Sequence, residues 1–96
     1  MAGPEENWAN FAGAVDRDRD DVVKFMLAEG ISPNTIVKGG DPALVRAIRM
    51  ESMSVVDVLL ASPALDVDTA SEYGETALML AAFKGNMELV QRLLDK

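Results

Sequence analysis

A self-similarity of about 33 residues constrains this chain more than any other feature. A step back of 34 positions aligns Gly74, Ala77, Leu78 and Ala81 with Gly40, Ala43, Leu44 and Ala47. A further step of 33 aligns Leu44, Ala47 and Ile48 with Phe11, Ala14 and Val15. Each unit contains two short apolar stretches at helical spacing, which is typical of a solenoid of helix pairs. Because helices this short are marginal alone in water, each pair must be stabilised by its neighbours.

The most regular unit runs from Glu72 to Leu94, with glycine turns before each of its two short helices. Its residues that match the ankyrin repeat pattern are Gly74, Thr76, Leu78, Ala81, Ala82, Gly85, Leu89, Val90, Leu93 and Leu94. On these residues, the chain resembles the ankyrin repeat family over about residues 8–96. The resemblance implies an all-α solenoid of about three stacked helix-turn-helix repeats, joined by short finger turns or β-hairpins.

Several positions depart from the family pattern. Val45 and Met79 replace the motif histidine, and Ala43 and Ala77 replace the motif proline. Glu51 stands where the family has a glycine between the two helices of a repeat. A tetratricopeptide solenoid shares the period, but its helices are longer than those indicated here and it has no fingers between its helix pairs.

We expect a single domain over residues 1–96, with units of about 7–36, 37–70 and 71–96 after a flexible lead of residues 1–6. The first helix is predicted from Trp8 to Val15, with Asn7 as its cap. Trp8 is interpreted either as a cover for the open end of the stack or as an exposed binding anchor. No polar capping helix follows Leu94, so we expect a truncated array, a frayed end or weak self-association.

Polar residues before the later helices are interpreted as caps. The assignments are Asp18 or Asp20 for the second helix, Asp41 with Pro42 at the first position for the third, and Ser52 or Ser54 for the fourth. The acidic run of residues 16–21 has alternating aspartates but lacks the glycine and glutamate of a calcium-binding EF-hand loop. We therefore interpret the run as a solvated connector.

Charge and composition exclude several classes of function. The net charge of −7 opposes binding to nucleic acid and to anionic membranes. The chain has no cysteine and no histidine, which excludes disulfides, the usual zinc sites and the common nucleophile–base pairs. The acids are expected in turns or on exposed helix faces, whereas a glycosidase needs one buried carboxyl group. We therefore predict no enzymatic activity, no cofactor and no metal.

The start of the sequence has neither a basic region nor an apolar run, so no signal peptide is indicated. The sequence also contains no apolar stretch as long as a membrane span. We expect a cytoplasmic protein, although a mature exported protein whose signal had been removed would have the same sequence.

The resemblance implies a binding surface on the concave face, formed by the fingers and the outer side of the first helix of each pair. Carried over position by position, the residues implied for partner binding are Lys38, Asp41, Arg49, Met50, Glu72, Tyr73, Glu75, Phe83 and Lys84. Tyr73 and Phe83 lie off the predicted core face, and aromatic residues often dominate interfaces. For Phe83, packing under a finger is an equal alternative.

The predicted function is non-enzymatic binding of a protein partner that has a basic or mixed surface, since the chain itself is acidic. The alternative function is an assembly module that self-associates through the third repeat. Binding to nucleic acid is the third and least favoured hypothesis, because it would have to overcome the net charge.

Overall fold

A computed structural model describes residues 4–96 of the chain, with side chains described from residue 7 onwards. The α-helices of this part are α1 Pro4–Asp16, α2 Asp20–Ala28, α3 Ala43–Arg49, α4 Met53–Leu60, α5 Ala77–Phe83 and α6 Met87–Leu94. They form three antiparallel pairs. Helices α1, α3 and α5 pack in sequence as one layer, and α2 packs beside α4 in the other. The stack measures 41 × 25 × 21 Å, which confirms the predicted all-α solenoid.

Helices α2 to α6 are only 7 to 9 residues long, too short for tetratricopeptide repeats. The first helix is longer than predicted. It begins at Pro4 rather than at Trp8, since proline is favoured in the first turn of a helix, where its missing N–H is not needed. Of the predicted flexible lead, residues 1–3 lie outside the described part, and residues 4–6 form the first turn of α1.

One continuous core runs through the stack and contains mostly aliphatic side chains and alanines. Its largest fully buried members are Phe11, Leu44, Ile48, Leu59, Leu89, Val15, Val23, Val45, Val55 and Val56. Four alanines of α3 and α5 are fully buried and allow these short helices to approach closely: Ala43, Ala47, Ala77 and Ala81. Leu65, in the connector between α4 and α5, packs partly buried against the core.

Each finger is a tight turn held by one isolated β-bridge, not a ladder of paired strands. The bridges join Ile36 to Pro42 in the first finger and Ala70 to Thr76 in the second. A short 3₁₀ turn over Lys38–Gly40 forms the tip of the first finger. Both of its glycines have positive φ angles of 74° and 76°, a conformation that glycine adopts without steric cost. The fingers therefore present short, fixed tips next to α3 and α5.

Most of the predicted caps were wrong: Asn7 lies within α1, and of the other assigned residues only Ser52 occupies an N-cap position. Ser52 stands at the N-cap of α4, but its side chain makes no capping bond. Instead, Asp18 of the first repeat accepts a hydrogen bond from the Val55 amide of α4 at 3.0 Å. Asp18 therefore caps a helix of the next repeat, not α2 as predicted. The N-cap of α2 is Arg19, which also lacks a side-chain cap.

The third helix likewise differs from the prediction. It begins at Ala43, and Pro42 is its N-cap, with an extended ψ of 151°. Asp41 makes no cap, because both of its carboxylate oxygens accept hydrogen bonds from Arg49. Among α2 to α6, whose N-caps the structure describes, only the two helices of the third repeat have side-chain caps from their own repeat, through Thr76 to the Met79 amide and Asn86 to the Leu89 amide.

Candidate functional site

The two fingers and the exposed sides of α3 and α5 form one continuous surface, here called the finger face. A row of ion pairs crosses it from repeat to repeat. Asp16 at the end of α1 accepts two hydrogen bonds from Arg46 of α3, at 2.8 and 3.2 Å, and lies 3.6 Å from the ammonium group of Lys38. The first repeat is thus tied to both the finger and the helix of the second.

Arg49 links the second repeat to the third in the same way. Its guanidinium donates to both oxygens of Asp41, at 2.9 and 3.2 Å, and to Glu75 Oε1 at 2.8 Å. Asp41 is buried and needs this partner, because an unpaired buried carboxylate is costly. Arg49 and Asp41 are therefore positioned to hold the two fingers in register.

The ion pairs perturb the acid–base properties of their members. Hydrogen bonding to Arg46 holds the pKa of Asp16 below its ordinary value, against the opposing effect of partial burial. The same contact raises the pKa of Arg46. The pKa of Arg49 is raised by its hydrogen bonds to Asp41 and then to Glu75. All three pKa shifts favour the charged forms of Asp16, Arg46 and Arg49.

A groove of about 490 Å³ lies at the end of the row, between α3 and α5. Its lining residues are Arg49, Glu75, Met79, Leu80, Phe83 and Lys84. Phe83 is 89% exposed, so the alternative that it packs under a finger is wrong. Lys84 lies 3.6 Å from Glu51 of the preceding repeat. The groove thus combines an exposed aromatic ring with charged groups that are already paired.

The second finger holds its exposed aromatic residue through a buried serine. Ser71 Oγ accepts hydrogen bonds from the amides of Tyr73 and Glu75, both at 3.2 Å. The Tyr73 side chain itself is largely exposed. Glu72 lies against the first finger, so close that a Cβ placed on Gly40 would be 3.2 Å from its carboxyl carbon. The two finger tips are therefore in contact.

The structure brings some of the predicted binding residues together and leaves others apart. Asp41, Arg49 and Glu75 form one hydrogen-bonded cluster, and Phe83 and Lys84 share the adjoining groove with the last two. The remaining members are elsewhere on the finger face: Lys38 beside Asp16, Glu72 over Gly40, Tyr73 at the second finger tip and Met50 exposed after α3.

Sequence reasoning missed three contributors to this face. Asp16 and Arg46 form the first part of the ion-pair row, and Ser71 orders the second finger. No local pattern indicates the Asp16–Arg46 pair, because its two members are 30 positions apart. Asp41 lies in the turn before α3, in agreement with the expectation that the acids lie in turns or on exposed helix faces, but unlike a solvated turn residue it is buried against Arg49.

Trp8 lies at the first finger. Its indole Nε1 donates a hydrogen bond of 2.7 Å to the carbonyl oxygen of Ile36, and the ring is partly exposed. The residue therefore ties the long first helix to the connector between repeats one and two.

Among the side chains described for residues 7–96, no three acidic groups are placed so that they could hold a metal ion. None of the helices within residues 4–96 combines the length and the apolar character needed to cross a bilayer.

The outer side of the third repeat is a second notable surface. Leu44 in α3 is 1% exposed, but its equivalent Leu78 in α5 is 38% exposed; for Leu60 and its equivalent Leu94 the values are 8% and 62%. The second repeat is covered by the third, whereas nothing in the described part of the chain covers α5 and α6 in that way. We call this surface the C-terminal face; its other exposed apolar residues are Met79, Met87 and Phe83, the last of which also lines the groove of the finger face.

Comparison with known proteins agrees with this architecture. The family model described as ankyrin repeats (3 copies) matches residues 11–96. The chain is 34% identical over 80 residues to the poly [ADP-ribose] polymerase tankyrase of Caenorhabditis elegans, a match that covers 80% of this chain and 4% of that protein. It is also 34% identical over 83 residues to the human transient receptor potential cation channel subfamily A member 1, covering 86% of this chain and 7% of that one.

A third relative is the ankyrin repeat domain-containing protein 29 of Danio rerio, 38% identical over 52 residues, or 54% of this chain and 17% of the relative. The chain thus spans less than a fifth of the length of each of these proteins. Ankyrin repeats are in general modules for protein–protein interaction. The period, the helix pairs, the finger turns and the match to the family model all lead to the same assignment: the chain belongs to the ankyrin repeat family.

Proposed function

We propose that these 96 residues bind a protein partner through the finger face and carry out no chemistry of their own. The observation that carries the proposal is the exposed groove beside Phe83, next to a finger tip that presents Tyr73. Exposed aromatic residues around a preformed depression are typical of surfaces that bind a protein segment. The finger face contains no buried, unpaired acid or base that would suit a catalytic role within residues 7–96.

The electrostatics of the face support a partner with a basic or mixed surface. Its cations already have carboxylate neighbours: Lys38 and Arg46 at Asp16, Arg49 at Asp41, and Lys84 at Glu51. An anionic ligand such as nucleic acid would have to compete with these carboxylates and with the net charge of −7. Glu72 at the finger contact adds a further negative charge.

The roles of the nine predicted residues then divide. Tyr73, Phe83 and Met50 would contact the partner through exposed apolar surface. Lys38, Asp41, Arg49 and Glu75 would act mainly by holding the fingers, and Glu72 and Lys84 would contribute charge at the edges. This division implies that Arg49→Ala tests folding as much as binding, since it leaves Asp41 buried without a partner.

The experiment compares proteins captured from a lysate by the native chain with those captured by Tyr73→Ala and Phe83→Ala variants. Gln91→Ala, on the exposed side of α6, is the matched control. Candidates lost with both variants but retained by the control are then purified and titrated by calorimetry. Equal affinity for the native chain and a folded Tyr73→Ala/Phe83→Ala double variant would exclude the finger face as the binding surface.

A second candidate function is self-association, favoured by the exposed apolar residues of the C-terminal face. Leu78 on α5 and Met87 and Leu94 on α6 are all exposed, whereas monomeric proteins seldom expose large apolar patches. The test is sedimentation equilibrium over a wide range of concentrations. A mass that stays at 10.3 kDa throughout would exclude this function.

A further inference from the structure

At both junctions between successive repeats, the same pair of equivalent positions lies face to face. This pattern predicts which residues would meet if another repeat were stacked on the third. Asp16, Arg49 and Phe83 are equivalent positions in the three repeats, as are Gly13, Arg46 and Leu80. Asp16 contacts Arg46 of the second repeat, and Arg49 shares a groove with Leu80 of the third. The position of Asp16 and Arg49 in one repeat therefore faces the position of Arg46 and Leu80 in the following repeat.

The outer layer follows a second pattern of the same kind. Leu27 lines a groove with Val58 of the next repeat, and Leu60 lines one with Arg92 of the next. Leu27, Leu60 and Leu94 occupy equivalent positions in the three repeats. The residue of the first repeat that is equivalent to Val58 and Arg92 is Phe25. If a first repeat were stacked on α5 and α6, Leu94 would therefore face Phe25.

The same extension places Phe83 opposite Gly13. The second and third repeats have large side chains at this position, Arg46 and Leu80, whereas the first repeat has Gly13, which has no side chain. The surface of α1 and α2 around it, here called the N-terminal face, has a depression of about 380 Å³. Its lining residues are Asn7, Asn10, Gly13, Ala14, Arg17, Arg19, Val22, Phe25 and Met26. Because Gly13 has no side chain, the ring of Phe83 can approach its backbone beside the Arg17 guanidinium, whose Nη1 would lie 3.4 Å from a Cβ built on Gly13.

The apolar and charged groups of the two faces also match. Phe83, Leu94 and Phe25 are among the exposed large apolar residues of the chain, and this stacking would cover all three. Arg17 is equivalent to Lys84, which borders the groove beside Arg49, so Arg17 would lie next to the Phe83 ring. A guanidinium beside an aromatic face adds a favourable cation–π contact.

We propose that the C-terminal face binds the N-terminal face of a second copy of this chain, with Phe83 inserted over Gly13 and Leu94 packed on Phe25. The inference rests on the proposed self-association and names its partner surface and its geometry. Because the two faces differ, the contact is heterologous and leaves both ends of each assembly free to bind further copies. The 96 residues thus form open head-to-tail chains, not closed dimers.

The experiment uses two variants that each block one face. Gly13→Leu fills the depression of the N-terminal face and introduces the residue that the third repeat has there, while leaving the C-terminal face intact. Phe83→Asp introduces the residue of the first repeat on the C-terminal face and leaves the N-terminal face intact. Circular dichroism confirms the folding of both, and Tyr73→Ser, on the finger tip, is a control that should associate like the native chain.

In sedimentation equilibrium, we expect the native chain to form species larger than dimers as concentration rises. Each blocked variant alone should associate at least about tenfold more weakly. An equimolar mixture should regain association but stop at a one-to-one complex, because the free C-terminal face of Gly13→Leu can bind the free N-terminal face of Phe83→Asp. This recovery would establish the head-to-tail contact.

Two other outcomes would overturn the proposal, and they are distinguishable. Closed dimers that Gly13→Leu leaves unchanged but Phe83→Asp disrupts would show contact between two C-terminal faces, so self-association would stand and the head-to-tail geometry would fail. A native chain that remains monomeric would overturn both.

Discussion

Substitution by glycine at the position between the two helices of a repeat should stabilise the protein in the second repeat but destabilise it in the first. Asp18, Glu51 and Gly85 are equivalent there, and all have positive φ angles, of 55°, 56° and 74°. In this left-handed region, a residue with a side chain costs about 1–2 kcal/mol relative to the right-handed region. Asp18 also accepts the capping bond from Val55, whereas Glu51 forms only an exposed pair with Lys84 at 3.6 Å.

For Glu51→Gly, the relief of this backbone cost exceeds the extra flexibility of glycine in the unfolded chain, which is about 0.5–1 kcal/mol. We expect a net stabilisation of about 0.5–1 kcal/mol, or a rise in Tm of about 2–8 °C for a domain of this size. For Asp18→Gly, the relief is smaller because aspartate tolerates the conformation better. The lost cap costs about 1–2 kcal/mol, so the net effect is destabilising.

The assay is urea unfolding of both variants beside the native chain, followed by circular dichroism. The dependence on urea should be unchanged, since neither substitution alters the surface exposed on unfolding. Asp18→Asn is the matched control, because it retains both an acceptor oxygen and tolerance of the left-handed region. If Asp18→Gly were as stabilising as Glu51→Gly, the cap between repeats would have no energetic role.

Three further predictions concern the finger face. Arg49→Met should cost about 2–3 kcal/mol in urea unfolding because it leaves Asp41 buried and unpaired, while Glu75→Gln should cost under about 1 kcal/mol; equal costs would contradict the assigned burial. Ser71→Ala should speed hydrogen exchange at the amides of residues 73 and 75 and leave α3 unchanged, and unaltered exchange would exclude its ordering role. The pKa of Asp16 is lowered in the folded chain, so its ion pair stabilises the fold at pH values above the unfolded pKa of about 3.9, and this stabilisation is lost as pH falls through the lower folded pKa. In Asp16→Asn, the free energy of unfolding should therefore decrease less steeply as pH falls in this acidic range. An unchanged pH dependence would refute this prediction.

The sequence was sufficient for the architecture because the apolar pattern repeats locally. Leu44, Ala47 and Ile48 lie three and four positions apart and recur one period away, which defines both the helix face and the stacking direction. The helix pairs and their stacking therefore follow from the spacing, whereas the finger turns and the ankyrin type of repeat were implied by the resemblance to the family pattern. The start of α1 could not be predicted in the same way, since Pro4 is compatible both with a coil and with the first turn of a helix.

Caps and ion pairs were harder to predict because they join residues that are distant in the chain. The cap on α4 comes from Asp18, 37 positions before Val55, and the Asp16–Arg46 pair spans 30 positions. From a local pattern, such polar residues are predicted to cap the nearest helix. For this reason Asp18 was assigned to α2 and Asp41 to α3, although neither caps that helix. Of the helices after α1, only those of the third repeat have side-chain caps within their own repeat, from Thr76 and Asn86, and this is also the unit that best matches the family pattern.

Phe83 belongs to both proposed surfaces, and this has a consequence for function. It lines the groove of the finger face, and it is the residue that would enter the depression over Gly13 of a second copy. One ring cannot occupy both environments, so a bound partner and a stacked copy compete for it. By linkage, a partner that binds only the free chain must weaken self-association as its concentration rises, and stacking must weaken partner binding by the same factor. Tyr73 contacts only the proposed partner and Leu94 only the proposed second copy, so the two activities remain separable by substitution even though they share Phe83.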